Sequence, residues 1–436
     1  MLLDLVYLLA LGLLSPWLAW RAVRTGRYRR ELSAKFLGRV RVTNPAKKRV
    51  AWFHAVSVGE VNLLGTLVPA FRARRPDCLV VVSSTTDTGL AEARKRFPDL
   101  DVIAWPFDFS WAVGAALDAV KPALVVLTES ELWPNFLAAA GARGVPVVVA
   151  NARMSPRSAR RLSRVAGAAR RLLFRHVTRF AVQEAEYAER LERLGAPATK
   201  LTVTGSIKYD GAAGERDTPK TRALRAALGL RSEGSAPLVL LAGSTHGPEE
   251  ALVLGAFARL RERFPRLRLV LVPRHPDRFE EVARLVEASG LPSVRRSRIT
   301  VPLAEMPAVV LLDTVGELGA AWGLADVGFT GGSLDGVRGG QSMIEPAGYG
   351  VPCVFGPHVW NFRDAAKRLV EVGGAVMVKD AAELEVELAR FLADADRRGR
   401  AGAAARALVQ RQQGATLRTL DVIDAVIAPP ALPAAA

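Results

Sequence analysis

Carboxylates and cations fall into separate loops of this chain, and each set suits a different half of a group-transfer reaction. Glu60 ends the stretch His54-Ala-Val-Ser57-Val-Gly59-Glu60, and Glu129 and Glu131 lie in Thr128-Glu129-Ser130-Glu131-Leu-Trp133-Pro134-Asn135. A carboxylate held beside an acceptor hydroxyl can take its proton. Glu60 and Glu129 are therefore candidate catalytic residues and Glu131 a candidate substrate ligand, with Ser57 and Gly59 shaping the first of these turns. Glu60 also suits a plainer role, the first-turn carboxylate that a helix dipole favours by about 0.3–1 kcal/mol. Lys208, in Gly205-Ser206-Ile-Lys208-Tyr-Asp210, offers a cation to the same edge.

The second set of loops suits an anionic nucleotide. Ser244, Thr245 and His246 precede a helix expected near Pro248, so hydroxyls, an imidazole and backbone N–H groups converge. Arg274, followed by His275, presents a planar guanidinium able to grip phosphate bidentately; a solvated loop arginine is the plainer alternative. Gly316 and Glu317 form another such turn. The segment Gly331 to Pro357, GGSLDGVRGGQSMIEPAGYGVPCVFGP, carries most of the signal. Gly331 and Gly332 before Ser333, and Gly339 and Gly340 before Gln341, let backbone N–H groups approach a ligand closely. A helix expected to start near Ser342 points its amino end at an anion, and Glu345 in its first turn can accept from ribose hydroxyls. The pattern is that of a sugar-nucleotide pocket, with a glycine-rich crossover loop and capping glutamate as the bland alternative.

Other chemistries lack their signatures. The histidines show no HxxxH or HxH spacing and no cysteine joins them, so neither a metal nor a cofactor is expected. Cys78 and Cys353 each sit in or beside apolar runs, as reduced core residues. No P-loop and no GxGxxG fingerprint is present, which argues against an ATPase or a nicotinamide enzyme.

These loops need a scaffold that presents strand ends. Short apolar runs alternate with amphipathic stretches twice along 436 residues, first from Val50 to Thr204 and again from Leu238 to Val378. That alternation predicts parallel sheets covered by helices, and ligands of such sheets bind at the carboxyl ends of the strands. The polar stretch after Asp210, GAAGERDTPKTR, reads as a connection. The expected organisation is an anchor helix over 1–24, a first domain over 25–210, a linker over 211–234, a second domain over 235–427 and a disordered Pro/Ala tail over 428–436.

The anchor rests on residues 2–20, LLDLVYLLALGLLSPWLAW, a length that matches a bilayer's hydrocarbon thickness. Arg21, Arg24, Arg27, Arg29 and Arg30 follow at once, which by the positive-inside rule keeps the body cytoplasmic. Whether the helix spans or lies on the membrane stays open. The formal charge of +17 attracts polyanions in general; nucleic acid is not expected, since no RRM, KH or helix-turn-helix signature accompanies it.

The apolar first helix followed by YRR, then HAVSVGE, TESELWPN, NARMS, GSIKYD, GSTH, LVPRHPDRF, DTVGELG, GGS and GGQSMIEPA, in this order, resembles the 3-deoxy-D-manno-octulosonic acid (Kdo) transferase family over nearly the whole chain. The resemblance implies a GT-B glycosyltransferase, two Rossmann-like domains facing each other across a cleft, at the inner membrane. It would move Kdo from CMP-Kdo to the lipid A precursor lipid IVA with inversion, without a metal. It also implies that the second half holds CMP through Arg274, Gly331 to Ser333 and Glu345, and that the acceptor meets the first half and an anionic membrane surface. Family members place a catalytic glutamate shortly after the first helix, where this chain has Ala34 in Glu31-Leu-Ser-Ala34-Lys35-Phe36. Glu31 lies one helical turn earlier and is the expected substitute. A second departure is Gln341-Ser342 where relatives carry His-Asn; Gln keeps the hydrogen bonding and Ser342 can cap the helix. The competing readings are a GT-B enzyme using another nucleotide sugar, and a silent homologue that binds nucleotide or lipid without turnover.

Overall fold

The computed structural model describes residues 2–25, 31–212, 214–230 and 236–427. Arg27, Arg29, Arg30 and the Pro/Ala tail lie outside the described residues. The chain forms two compact units, one of residues up to Asp210 together with those from Gln413, the other Gly211–Gln412.

The first unit is built on β1 (Arg49–Ala55), β2 (Cys78–Ser84), β3 (Asp101–Ala104), β4 (Pro122–Thr128), β5 (Val147–Ala152), β6 (Arg179–Val182) and β7 (Leu201–Val203). All pair in parallel in the order β3-β2-β1-β4-β5-β6-β7. Neighbours along β1 point to opposite faces, and Trp52 and Phe53 are both fully buried, so helices must cover both sides. Trp52 packs with Trp105 and Phe136 on one face, Phe53 with Phe71 and Leu64 on the other.

The second unit repeats the plan with β8 (Leu238–Thr245), β9 (Leu267–Pro273), β10 (Ser293–Arg295), β11 (Val309–Leu311), β12 (Val327–Thr330), β13 (Cys353–Phe355) and β14 (Ala375–Met377), in the order β10-β11-β9-β8-β12-β13-β14. In each sheet the first strand is an interior one, and the chain turns from one side of it to the other. The switch lies between β1 and β4 in one unit and between β8 and β12 in the other, the places where open parallel sheets bind ligands.

Three boundaries differ from those expected. β10 carries only Ser293, Val294 and Arg295, too polar and short to stand out as a strand. The stretch expected as linker contains the helix Pro219–Ala227, capped by Thr218, whose Leu224 joins the second unit's core. The last helix, Ala415–Asp424, belongs with the first unit rather than the second, because Ala415, Leu420 and Ile423 pack beside Val61 and Leu64. Asp210 fixes its start, accepting from the N–H groups of Gly414 at 2.7 Å and Thr416 at 2.5 Å.

The N-terminal helix, Leu2–Thr25, is pinned at its start. Asp4, the one charge in the apolar run before Arg21, is buried and accepts from Ser110 N–H at 2.8 Å, Ser110 Oγ at 2.9 Å and Asn135 Nδ2 at 3.1 Å. Tyr7 donates to Asp108 Oδ2 at 3.0 Å. Past that lock, Leu9, Leu13, Leu14, Trp17 and Trp20 are exposed. No helix among the described residues is long and apolar enough to cross a membrane.

Candidate active site

At the switch point of the first sheet three carboxylates meet. Glu60, in the first turn of the helix Val58–Arg74, accepts from Val56 N–H at 3.0 Å, Ser57 Oγ at 3.1 Å and Thr128 Oγ1 at 2.6 Å. Ser57 is the N-cap and its hydroxyl accepts from Glu60 N–H, so the pair forms a reciprocal capping box that also reaches across to β4. Glu129, past the end of β4, adopts a left-handed φ of 55° and is buried between Arg153 Nε at 2.8 Å and Lys208 Nζ at 3.0 Å. That backbone is disfavoured for a non-glycine residue, and such strain collects at functional sites. Asn151, also at φ 55°, accepts from Ile207 N–H at 3.1 Å and leaves a buried Nδ2 without a partner.

Glu131 is the outlier in protonation. Burial, then repulsion from Glu60 and from Glu129, pushes its carboxyl up to about 7. Glu129 spends its charge on two cations, whereas Glu131 accepts and releases a proton near neutrality, as a general base requires. Lys208, the cation expected at this edge, is paired with Glu129. His54 is no part of an open site. It is buried, stacked on Trp105 at 3.8 Å, bonded to Ser83 and pushed down to about 3 by burial.

Glu31 departs from its expected geometry. It is the N-cap of the helix Leu32–Leu37 at a left-handed φ of 56°, not a helical residue one turn from Ala34, and its carboxylate pairs with Arg94. Ala34 is buried against Leu90 and Ala104, and Lys35 donates to Asp87 at 2.9 Å.

The switch point of the second sheet is organised by one residue that sequence patterns show only as a helix-opening acid. Glu249 is fully buried, and its Oε2 accepts from Gly332 N–H at 2.6 Å and His246 N–H at 3.1 Å. Its Oε1 accepts from Ser333 N–H at 2.9 Å and Leu334 N–H at 3.0 Å. The loops after β8 and β12 are thereby tied to one carboxylate. Gly331 must be glycine, since a Cβ there would lie 2.5 Å from Ser244 O. The two glycine pairs are neighbours: Gly340 N–H donates to Gly332 O at 2.7 Å and Gln341 N–H to Gly331 O at 3.0 Å. Gly339 turns at φ 80°, and a Cβ would strike the Trp360 indole at 2.2 Å.

His246 stands beside this turn. Arg338 Nη1 donates to its Nδ1 at 2.8 Å, and because a guanidinium only donates, the proton of the neutral ring sits on Nε2. The Gln341 amide, 3.3 Å from Nε2, must then present its oxygen. Burial and Arg338 push His246 down to about 4, so it is neutral at physiological pH. His275 meets it edge to face at 5.2 Å. Arg274 is exposed, and among the described residues its backbone N–H is held by Thr245 O at 3.0 Å while its guanidinium has no hydrogen bond or ion pair. Glu345 faces Arg274's charge, but burial outweighs it and raises the carboxyl above its usual range.

Some expected residues play other parts. The helix holding Glu345 runs Ile344–Gly348 with Met343 as N-cap, so Ser342 precedes the helix instead of capping it. Thr245 is buried with its hydroxyl toward Val272 O at 3.4 Å. Gly316 and Glu317 follow β11, two strands from β8, where Glu317 pairs with Arg296 at 3.0 Å. Arg338 and the role of Glu249 are missed by the sequence reading; the VRGG sequence around Arg338 is the available signal for the first, and locally Glu249 shows only as one of two acids, with Glu250, that suit a helix's first turn.

Two parallel seven-stranded sheets with helices on both faces, each with polar loops at a strand-order switch, define an α/β protein of the GT-B fold. The fold is similar to that of UDP-GlcNAc 2-epimerase from Neisseria meningitidis bound to UDP-GlcNAc, with a TM-score of 0.56 and 12% identity over 87% of this chain and 100% of that one. It is similar also to a UDP-N-acetylglucosamine 2-epimerase from Listeria monocytogenes, TM-score 0.54 and 15% identity over 87% and 96%. Residues 27–211 match the family described as 3-deoxy-D-manno-octulosonic-acid transferase (kdotransferase). A 3-deoxy-D-manno-octulosonic acid transferase from Bordetella pertussis is 36% identical over 433 residues, 96% of this chain and 98% of that one. One from Haemophilus influenzae is 32% identical over 404 residues, 92% of each. The chain belongs to the 3-deoxy-D-manno-octulosonic acid transferase family and is a glycosyltransferase.

Proposed function

We propose that this protein transfers Kdo from CMP-Kdo to lipid IVA, with inversion, in lipopolysaccharide assembly at the inner membrane. The observation that carries the reading is the β8/β12 switch point, where Glu249 holds the Gly331–Leu334 turn beside His246, Arg274 and Glu345. Neutral His246, the turn's N–H groups and the two guanidiniums of Arg274 and Arg338 suit a cytidine monophosphate. They stabilise charge on the departing phosphate by preorganised donors, and the reading calls on no metal. Glu345 accepts from the ribose hydroxyls.

In the first unit the acceptor hydroxyl loses its proton to Glu131, assigned ahead of Glu31 because Glu31 is engaged by Arg94 while Glu131 titrates near 7. Burial, then Glu60 and Glu129, holds Glu131's pKa up, and Glu60 also fixes the helix start. The exposed apolar side of the N-terminal helix and the net charge of +17 suit an acceptor carried in an anionic membrane, with both units cytoplasmic.

Ala34 favours one second reading, a homologue that binds CMP-Kdo without turnover. Mass spectrometry of lipid IVA incubated with CMP-Kdo and the purified protein decides between them. Addition of Kdo mass supports transfer, and CMP binding with unaltered lipid supports the silent reading.

A further inference from the structure

Between Glu131 and Glu184 the chain has no Asp or Glu and ten arginines. Arg157, Arg160, Arg161 and Arg164 follow the i, i+3, i+4, i+7 spacing over the helix Pro156–Ser163 and its C-cap, so they form a single stripe. Ala159 and Leu162, on the other side, pack on the core. All four arginines are exposed, as are Arg170 and Arg171 of the next helix, Ala166–Leu172. None of the six has a carboxylate partner among the described residues. The neighbouring helix Ala185–Arg193 offers none either through Glu186 and Glu189, which pair with its own Arg190 and Arg193. A solvated helix face normally mixes signs.

We propose that these two helices form a docking surface for anionic phospholipid headgroups, separate from the N-terminal helix. Val165, 53% exposed, and Leu172, 38% exposed, stand among the arginines and can enter the headgroup region. The surface carries no exposed aromatic on which a base could stack, which disfavours single-stranded nucleic acid. Placement agrees as well. The helix Pro134–Ala142 packs on Ala166–Leu172 and, through Asn135, holds Asp4 of the N-terminal helix, so both apolar-cationic elements lie over one face of the first sheet. The inference deepens the reading of a membrane-borne acceptor, yet its test needs no catalysis, so the two can fail separately.

The test is flotation of the full chain with vesicles of phosphatidylcholine alone and of phosphatidylcholine and phosphatidylglycerol in equal parts. Each arginine near an anionic surface is worth about fivefold in partitioning. The variant R157Q/R160Q/R161Q/R164Q should therefore lose on the order of several hundred-fold in binding to the mixed vesicles, and its binding to phosphatidylcholine should not change. R170Q/R171Q, expected to lose about tenfold or more, keeps the proposal testable if the first variant misfolds. Native-like binding of a folded variant to the mixed vesicles overturns the proposal. So does a stripe that proves to hold a single-stranded RNA oligonucleotide while contributing nothing to vesicle binding.

Discussion

The two strand-order switch points carry opposite electrostatic designs on the same scaffold. Beside β1 and β4, Glu60, Glu129 and Glu131 crowd together, two of them satisfied and the third lifted to about 7. Beside β8 and β12 the buried carboxylate of Glu249 accepts four backbone N–H groups, and around it stand Glu345, a neutral imidazole and guanidiniums. The first edge holds a group whose protonation changes near neutrality. The second presents backbone donors, guanidiniums and an imidazole that stays neutral near physiological pH. A transfer reaction asks for that division: one place that takes up a proton and another that holds a charged leaving group still.

The largest effect is expected from Glu131→Gln. Transfer from CMP-Kdo to lipid IVA should fall about 10²–10⁴-fold with CMP affinity unchanged, measured by initial rates and calorimetry. In the native protein transfer should rise with pH up to about 7, following the deprotonation of Glu131. His246, held near 4, stays neutral over that interval and should contribute no pH dependence to CMP binding, which the variant His246→Gln checks by leaving the pH profile of CMP affinity unaltered. Stability gives an independent check. The folded-state pKa of Glu131 lies above its ordinary 4.5, so the folded protein keeps a proton that the unfolded chain has lost, and stability falls as pH rises from 4.5 to about 7. Above that interval the full penalty remains, and Glu131→Gln should raise thermal stability there by roughly 1–2 kcal/mol. A destabilised variant, or an unaltered pH profile, breaks the contrast between the two edges.

An intermediate effect belongs to Arg274→Ala. Loss of a phosphate-gripping guanidinium should weaken CMP binding about 10- to 100-fold with little change in melting temperature, since Arg274's side chain is exposed. Arg274→Lys should recover only part, as a lysine cannot bind two oxygens in one plane. The smallest effect is expected from Glu31→Gln. Its ion pair with Arg94 is solvent-accessible, so stability should move by about 0.5 kcal/mol or less and transfer by less than about twofold. A collapse of transfer in Glu31→Gln, with Glu131→Gln near native, would move the base to residue 31.

Legibility in the sequence followed the range of the interactions. The strands β1, β2, β4 and β5 are legible as apolar runs, because a strand buried on both faces must be close to continuously hydrophobic. β10 is not, being three residues of which two are polar. The loops were legible by composition, since Gly332, Gly339 and Gly340 answer to local backbone demands, each at a positive φ. Roles inside the loops were less so. Glu249 looked like one of two helix-opening acids; what distinguishes it from Glu250, paired with Arg278 at 2.5 Å, is a set of donors more than eighty residues away.

The sequence by itself determined the two parallel sheets, the division of polar loops between them and the resemblance to a Kdo transferase, because each depends on patterns within a few residues or on motif order. Tertiary structure decided which carboxylate sits near neutral pKa, that Glu31 precedes its helix and faces Arg94, that the last helix returns to the first unit, and that Asp4 is a lock. Those outcomes depend on burial and on charges brought together from distant positions, and neither quantity is carried by any single stretch of chain.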